Sequence, residues 1–186
     1  APVRPRLKSD EAFERLRALL LDGTLRAGEF VSQQDLVVRM RMPMAPVREA
    51  VKRAASDGLV EVLPQRGVRV MEATPQRILD GFGLRLLVDR EGARKHARRG
   101  LAPGLGELKR AHEAVLAECR RNLTDIAIAR SYEVDWALHA ALAGAIDNAL
   151  VADLYERNRE RLTILQRTRP MLPERVVPGL TEHPDD

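Results

Sequence analysis

The run from Pro46 to Val70 constrains the fold more than any other stretch of the chain. Val47, Val51 and Ala54 recur at i, i+4 and i+7, an apolar face with the period of a helix that begins near Ala45. Arg48 and Lys52 lie on another stripe of the same helix and face outward. Gly58, after Asp57, stops the helix. Val60-Glu61-Val62 and Val68-Arg69-Val70 then alternate as strands around the turn Pro64-Gln65-Arg66-Gly67. A helix with a basic outer face therefore runs into a short hairpin with an arginine-glycine tip.

Two helices precede it. Phe13, Leu16 and Leu20 mark the first, at residues 9–21, with Ser9 as its N-cap and Asp22-Gly23 as its end. Leu25 to Glu29 reads as a turn. Ser32 caps a second short helix that runs to Met40, with Leu36 and Val37 inward. Three helices and a hairpin in this order make a winged helix-turn-helix, an arrangement that presents one helix to the DNA major groove and the hairpin to the flanking backbone or minor groove. Charge agrees. Residues 39–70 hold seven basic and three acidic side chains, a net +4 that equals the net charge of the whole chain. The remainder is balanced, as expected of a nucleic-acid module joined to something else.

From Thr74-Pro75, a cap followed by a first-turn proline, the pattern is helical to near Arg169. Breaks at residues 100–103, 122–125 and 147–148 divide it into four long helices. Aromatic residues are only 3% of the chain against 45% hydrophobic residues overall, so the core must be aliphatic, which favours helices. Pro170 to Asp186, with four prolines, reads as loop, and the first residues, with Arg4 and Arg6, read as a flexible arm. The single cysteine, Cys119, excludes a disulfide framework and a cysteine-based zinc site and reads as a buried thiol. His96 and His112 read as surface residues. The start has no apolar signal-peptide core, and no apolar run approaches the ~20 residues of a membrane helix. A cytoplasmic protein with no membrane partner is expected.

Particular residues carry a family resemblance. Leu25-x-x-Gly28, Gln34-Asp35-Leu36, Pro46-Val47-Arg48-Glu49-Ala50, Asp57-Gly58-Leu59-Val60 and Pro64-x-Arg66-Gly67-x-x-Val70 stand in the order and spacing of the GntR superfamily of bacterial transcription regulators. Arg85-x-x-Val88-Asp89-x-Glu91-x-Ala93 and Asp135-x-x-x-His139-x-x-Leu142, with Asn148 beyond, resemble the all-helical FCD domain of its FadR-type branch. The resemblance covers nearly the whole chain. It implies a mainly α protein: a winged helix-turn-helix over 1–73 and an FCD-like helical bundle for effector binding and dimerisation over 74–186, with the family's last helices missing at the C-terminus. It also implies a homodimer on a pseudo-palindromic double-stranded DNA operator. One departure bears on the reader: the family's Ser-Arg-Thr before the Pro-Val-Arg-Glu-Ala run is Pro43-Met44-Ala45 here, which replaces an arginine and two hydroxyls by groups that cannot donate a hydrogen bond.

Arg48, near the start of the reader helix, is expected to pair with guanine O6 and N7. Lys52 and Arg41 are expected on phosphates, Gln33 and Gln34 on the backbone crossing the second helix, and Arg66 in the minor groove, with Gly67 permitting the close turn. The alternative for Arg48 and Glu49 is a set of surface ion pairs.

Asp135 and His139 are four apart on a helix and share a face, where a carboxylate and an imidazole can converge on one ion. The resemblance implies Asp135, His139 and His183 as ligands, with a fourth histidine beyond the end of the chain. Mixed oxygen and nitrogen donors suit Zn, Mn or Ni. The alternative is a plain Asp–His hydrogen bond. Open positions on such a metal suit a small organic acid whose other oxygens meet Arg85; the alternative for Arg85 is a salt bridge to Asp89. Trp136 reads as core packing.

The expected function is a ligand-responsive regulator of transcription, usually a repressor. A helical metal- or ligand-binding interaction protein with weakened DNA binding is the competing reading. No Ser/His/Asp set, His-Glu-x-x-His pair or glycine-rich phosphate loop supports an enzyme.

Overall fold

A computed structural model describes residues 7–99, 104–168 and 173–181. The chain forms two compact units: residues 1–81 with 159–169, and residues 82–158 with 170–186.

The first unit holds α1 (Lys8–Leu21), β1 (Phe30–Val31), α2 (Gln33–Met40), α3 (Met44–Ser56), β2 (Val60–Leu63) and β3 (Gly67–Val70). It also takes the start of α4 (Pro75–Arg99) and the end of α7 (Ala149–Thr168). The strands form an antiparallel sheet in the order β1-β3-β2. Val47, Val51 and Ala54 of α3 are buried, as their spacing requires, together with Ala12, Leu16 and Leu20 of α1 and Leu36 of α2. Burying each of the larger aliphatic side chains contributes about 1.5–3 kcal/mol, enough in aggregate to hold three short helices that would be marginal alone. Ser32 Oγ accepts from Asp35 N at 3.0 Å and the Asp35 carboxylate accepts from Ser32 N, a complete capping box. The Ser32 hydroxyl, which also donates to Asp35 Oδ2 at 2.7 Å, and then the Ser32 amide hold the Asp35 carboxyl below its ordinary pKa.

Two features of this unit differ from the sequence reading. α1 starts at Lys8, one residue early, and Leu7 rather than Ser9 stands at its N-cap without a side-chain bond. Its first amides reach Leu7 O instead, at 3.0 Å from Asp10 N and 3.1 Å from Glu11 N. The segment read as a turn leads into a third strand, β1, whose two residues are too few for any alternation to register. It exists because Phe30 and Val31 pair with Arg69 and Val68 of the wing.

The second unit is helical: α4 from Phe82, α5 (Leu105–Arg121), α6 (Asp125–Ala145), α7 to Asn158 and α8 (Pro173–Thr181). Thr124 caps α6 by accepting from Ala127 N at 3.1 Å, and Asp147, at φ +56°, makes the turn into α7. Val115, Cys119, Ala127, Val176 and Leu180 form one cluster, and Val88, Ala143 and Tyr155 another. Burial raises the pKa of the Cys119 thiol, which keeps it protonated.

α8 corrects the expectation of loop after Arg169. Val176 and Leu180, four apart, are buried against α5 and α6, and this outweighs the amide that Pro178 lacks. His96 and His112 are also corrected: both are buried, at 7% and 5% exposure. His112 shares the inner face of α5 with Val115 and Cys119, and its Nε2 donates to Leu180 O at 2.6 Å. The arm residues Arg4 and Arg6 lie outside the described residues.

α4 and α6 touch backbone to backbone. A Cβ on Gly92 would stand 2.2 Å from Leu142 O. That contact sets Arg85 and Asp89 of α4 against Asp135 and His139 of α6.

Candidate functional site

The sequence offered seven cations between residues 39 and 70, and the fold sorts them. Arg39 pairs with Glu29 at 3.0 Å, and Arg69 with Glu61 at 2.6 Å and Glu72 at 2.9 Å. Arg53 lies over the Phe13 ring at 3.9 Å and 3.5 Å from Asp10. Lys52 reaches Glu49 at 2.8 Å, an exposed i,i+3 pair that costs little to open. Arg41, Arg48 and Arg66 are exposed and have no side-chain hydrogen bond or ion pair among the described residues. One sits at the turn between α2 and α3, one on α3, and one at the wing tip.

The local chemistry that places them is plain. Arg41 closes α2 in the left-handed region, at φ +50°, and its amide reaches Val37 O and Val38 O. Arg15 Nη1 donates to Met40 O at 2.7 Å, holding the end of α2 to α1. Pro43 then stands at the N-cap of α3 with no side-chain cap, so the first amides of that helix have no side-chain partner there. Met44 is half-buried and Ala45 exposed. Gln33 and Gln34 open α2, half-buried and exposed respectively. In the wing, Gln65 takes φ +62° and Gly67 φ +100°. A Cβ on Gly67 would stand 2.7 Å from Val31 O, so glycine is required by the close approach of β1 as well as by the turn.

In the helical unit, His139 is buried, with Nε2 3.2 Å from Asp135 Oδ1 and Nδ1 2.9 Å from Asp89 Oδ2. Burial opposes protonation of the ring, but the carboxylates of Asp135, hydrogen-bonded to Nε2, and Asp89, close to Nδ1, outweigh it, and the pKa is raised. Arg85 Nη1 donates to Asp135 Oδ2 at 3.1 Å, while its distance to Asp89 is 3.9 Å. Its guanidinium lies 5.1 Å from the Phe82 ring and 5.6 Å from the half-buried Trp136 ring. Asp89 was not among the sequence candidates for this cluster. Its spacing from Arg85 was visible, but its approach to His139 depends on how α4 packs on α6.

Asp135 and His139 present two donors of the right chemistry to one point. An imidazole whose second nitrogen faces a carboxylate has the orientation metal-binding histidines commonly have. The two donors fit a divalent ion. Among the described residues no group of three His, Cys, Asp or Glu side chains could hold one, and His183 lies outside them. No described helix is long and apolar enough to cross a membrane.

Comparison with known proteins gives the chain's relatives. The family described as bacterial regulatory proteins, gntR family, matches residues 8–70, and the FCD domain matches residues 80–185. The chain is 25% identical over 178 residues to the HTH-type transcriptional repressor RspR of Escherichia coli K12, covering 95% of this chain and 74% of that protein. A shorter match, 32% over 89 residues, is to an HTH-type transcriptional regulator of Streptomyces ambofaciens, covering 48% of this chain and 38% of that one. In fold it is similar to Escherichia coli McbR/YncC, with a TM-score of 0.64 at 18% identity over 96% of this chain and 84% of that one. A GntR transcriptional regulator from Rhodococcus sp. RHA1 gives the same TM-score of 0.64 at 23% identity, over 94% of this chain and 88% of that one. The chain belongs to the gntR family of bacterial regulatory proteins, in the group whose C-terminal half is an FCD domain, and is a DNA-binding transcriptional regulator.

Proposed function

We propose that this regulator is a ligand-responsive repressor, working as a homodimer on a pseudo-palindromic operator in the bacterial cytoplasm and releasing it when a small organic acid binds the helical domain. The observation that carries the DNA half is the placement of the three unpaired cations. Arg48 reads a base edge in the major groove, Arg66 enters the minor groove at the wing, with Gly67 allowing the tight turn, and Arg41 meets a phosphate. Lys52 exchanges Glu49 for a phosphate, and Gln33 and Gln34 donate to the backbone that crosses α2. Regulation rather than turnover is the protein's task.

In the helical domain Asp135 and His139 would hold the divalent ion, Zn, Mn or Ni, with His183 as a further ligand. The ion supplies open coordination positions for a carboxylate. Asp89 holds the His139 ring by its far nitrogen, and Arg85, already charge-matched to Asp135, offers its remaining donors to the acid. Effector and operator then compete through one equilibrium, so DNA weakens effector binding by the factor by which effector weakens DNA binding. The name of the RspR relative, a repressor, supports the sign of the regulation.

Fluorescence anisotropy on DNA from the region upstream of the protein's own gene tests the reading. Binding is expected to be sequence-selective and to weaken with salt. Arg48→Ala should cost about 1–3 kcal/mol and relax the preference at one position of each half-site. Equal affinity of the wild type for operator and random DNA would remove Arg48 as a base reader.

A further inference from the structure

The FCD match begins at residue 80, yet residues 159–169 pack in the same compact unit as the DNA reader. Within that unit the end of α7 bears on the C-terminus of α3. Arg161 Nε donates to Asp57 O at 2.8 Å, and Asp57 is the C-cap of α3. Its guanidinium also covers Gly58, where a Cβ would lie 3.1–3.3 Å from Arg161 atoms. The neighbouring Glu160 meets Arg17 of α1 at 2.5 Å. Leu162, Ile164 and Leu165 are buried on the same stretch. The last carbonyls of a helix lack intrahelical partners and carry its partial negative charge, so the half-buried Arg161 cation donating to one of them clamps that end.

We propose that Arg161 is a positioning residue for the DNA reader. It holds the C-terminal end of α3 and so sets how Arg48, two and a half turns earlier on the same helix, is presented to the base edge. Arg161 itself touches no DNA. This rests on Arg48 reading DNA, and it gives residues outside the gntR match a part in operator selection.

The test is anisotropy on operator and on random duplex, across a salt series, with full-length wild type, Arg161→Ala, Arg161→Met, Arg161→Lys, Arg48→Ala, Arg41→Ala and the double variant Arg48→Ala/Arg161→Ala. Arg161→Ala should weaken operator binding by about tenfold, the scale of one lost charge-assisted hydrogen bond. The ratio of operator to random affinity should fall with it, while the salt slope stays as in wild type. Arg41→Ala, which removes a phosphate contact, should reduce that slope by about one. Arg161→Lys should restore part of the ratio, and Arg161→Met, which keeps the stem without the donor, should not. In the Arg48→Ala background the Arg161 change should cost little, because its effect passes through Arg48. If Arg161→Ala fails to fold, the Met and Lys variants carry the comparison. An unchanged ratio in folded Arg161→Met, an additive double variant, or a slope reduced by one in the Arg161 variants would each overturn the proposal. A wild type that does not discriminate operator from random DNA would instead overturn the reading of Arg48 on which it rests.

Discussion

At the scale of the residue, partnering separates the functional cations from the structural ones. Arg48 and Arg69 are the same side chain, but Arg69 is neutralised by Glu61 and Glu72 while Arg48 faces water with no described partner. Only the second kind can trade hydration for a nucleic acid without first breaking an ion pair. The outward stripe of Arg48 and Lys52 was legible from helical spacing; that Lys52 already pairs with Glu49 was not, because either rotamer is compatible with the sequence. His139 gives a pH signature. Its pKa is raised, so its charged form contributes stability that is complete below the ordinary histidine value of about 6.5 and is lost as pH rises through the raised value. Melting of metal-free protein should therefore fall in temperature across that range. His139→Gln should flatten the profile, and an unaltered profile in that variant would assign the dependence to another group. A divalent metal must displace the same proton, so its affinity should drop as pH is lowered.

At the scale of the element, caps and close approaches decide what the helices can do. Ser32→Ala breaks the capping box at the start of α2 and should cost about 1 kcal/mol, measured by denaturant melting. On the proposed reading Gln33 and Gln34, next to the cap, meet the DNA backbone, so operator affinity should fall with it. A variant as stable as wild type would show that the two bonds of the Ser32 hydroxyl with Asp35 contribute nothing net. Gly92→Ala makes a larger demand. Its Cβ would collide with the backbone of Leu142, where no side-chain rotation can make room, so α4 and α6 must separate. Overpacking of this kind costs about 1–3 kcal/mol or more. The separation should also loosen the approach of Asp89 to His139, seen as a His139 pKa closer to its ordinary value by NMR. A Gly92→Ala protein with both melting and pKa intact would mean that the helices can shift without loss. The cap of α2 and the α3-wing order were readable beforehand because each depends on residues close in sequence. β1 and α8 were not. A two-residue strand and a helix carrying Pro178 exist only because something already folded receives them.

At the scale of the whole molecule, a symmetric dimer requires a symmetric operator. Two readers related by a two-fold axis should select half-sites whose centres are about 34–36 Å apart, or a multiple of that spacing. Sedimentation of the protein on duplexes with the half-sites moved by five base pairs checks this. Two protomers per duplex at the native spacing and a loss of tight binding at the shifted one are expected; indifference to the shift would mean independent monomers. The units also carry a lesson about boundaries. Family-level signatures divide the chain near residue 74, while the compact units share residues on both sides of that point, because a helix as long as α7 can bury its two halves in different places.

The sequence alone determined the seven helices before residue 170 and the wing hairpin, the basic face of α3, the arginine-glycine wing tip and the place of Asp135 and His139 on one helical face. Each follows from periodicity or capping within a few residues, where local sterics dominate. Only the tertiary structure decided which cations stay unpaired, that Gly67 must pass β1, that Asp89 faces the far nitrogen of His139, and that Arg161 closes the end of α3. Those contacts join residues from 36 to 104 positions apart. Nothing in the local pattern encodes such contacts; they follow from how the elements of each unit fill its limited core.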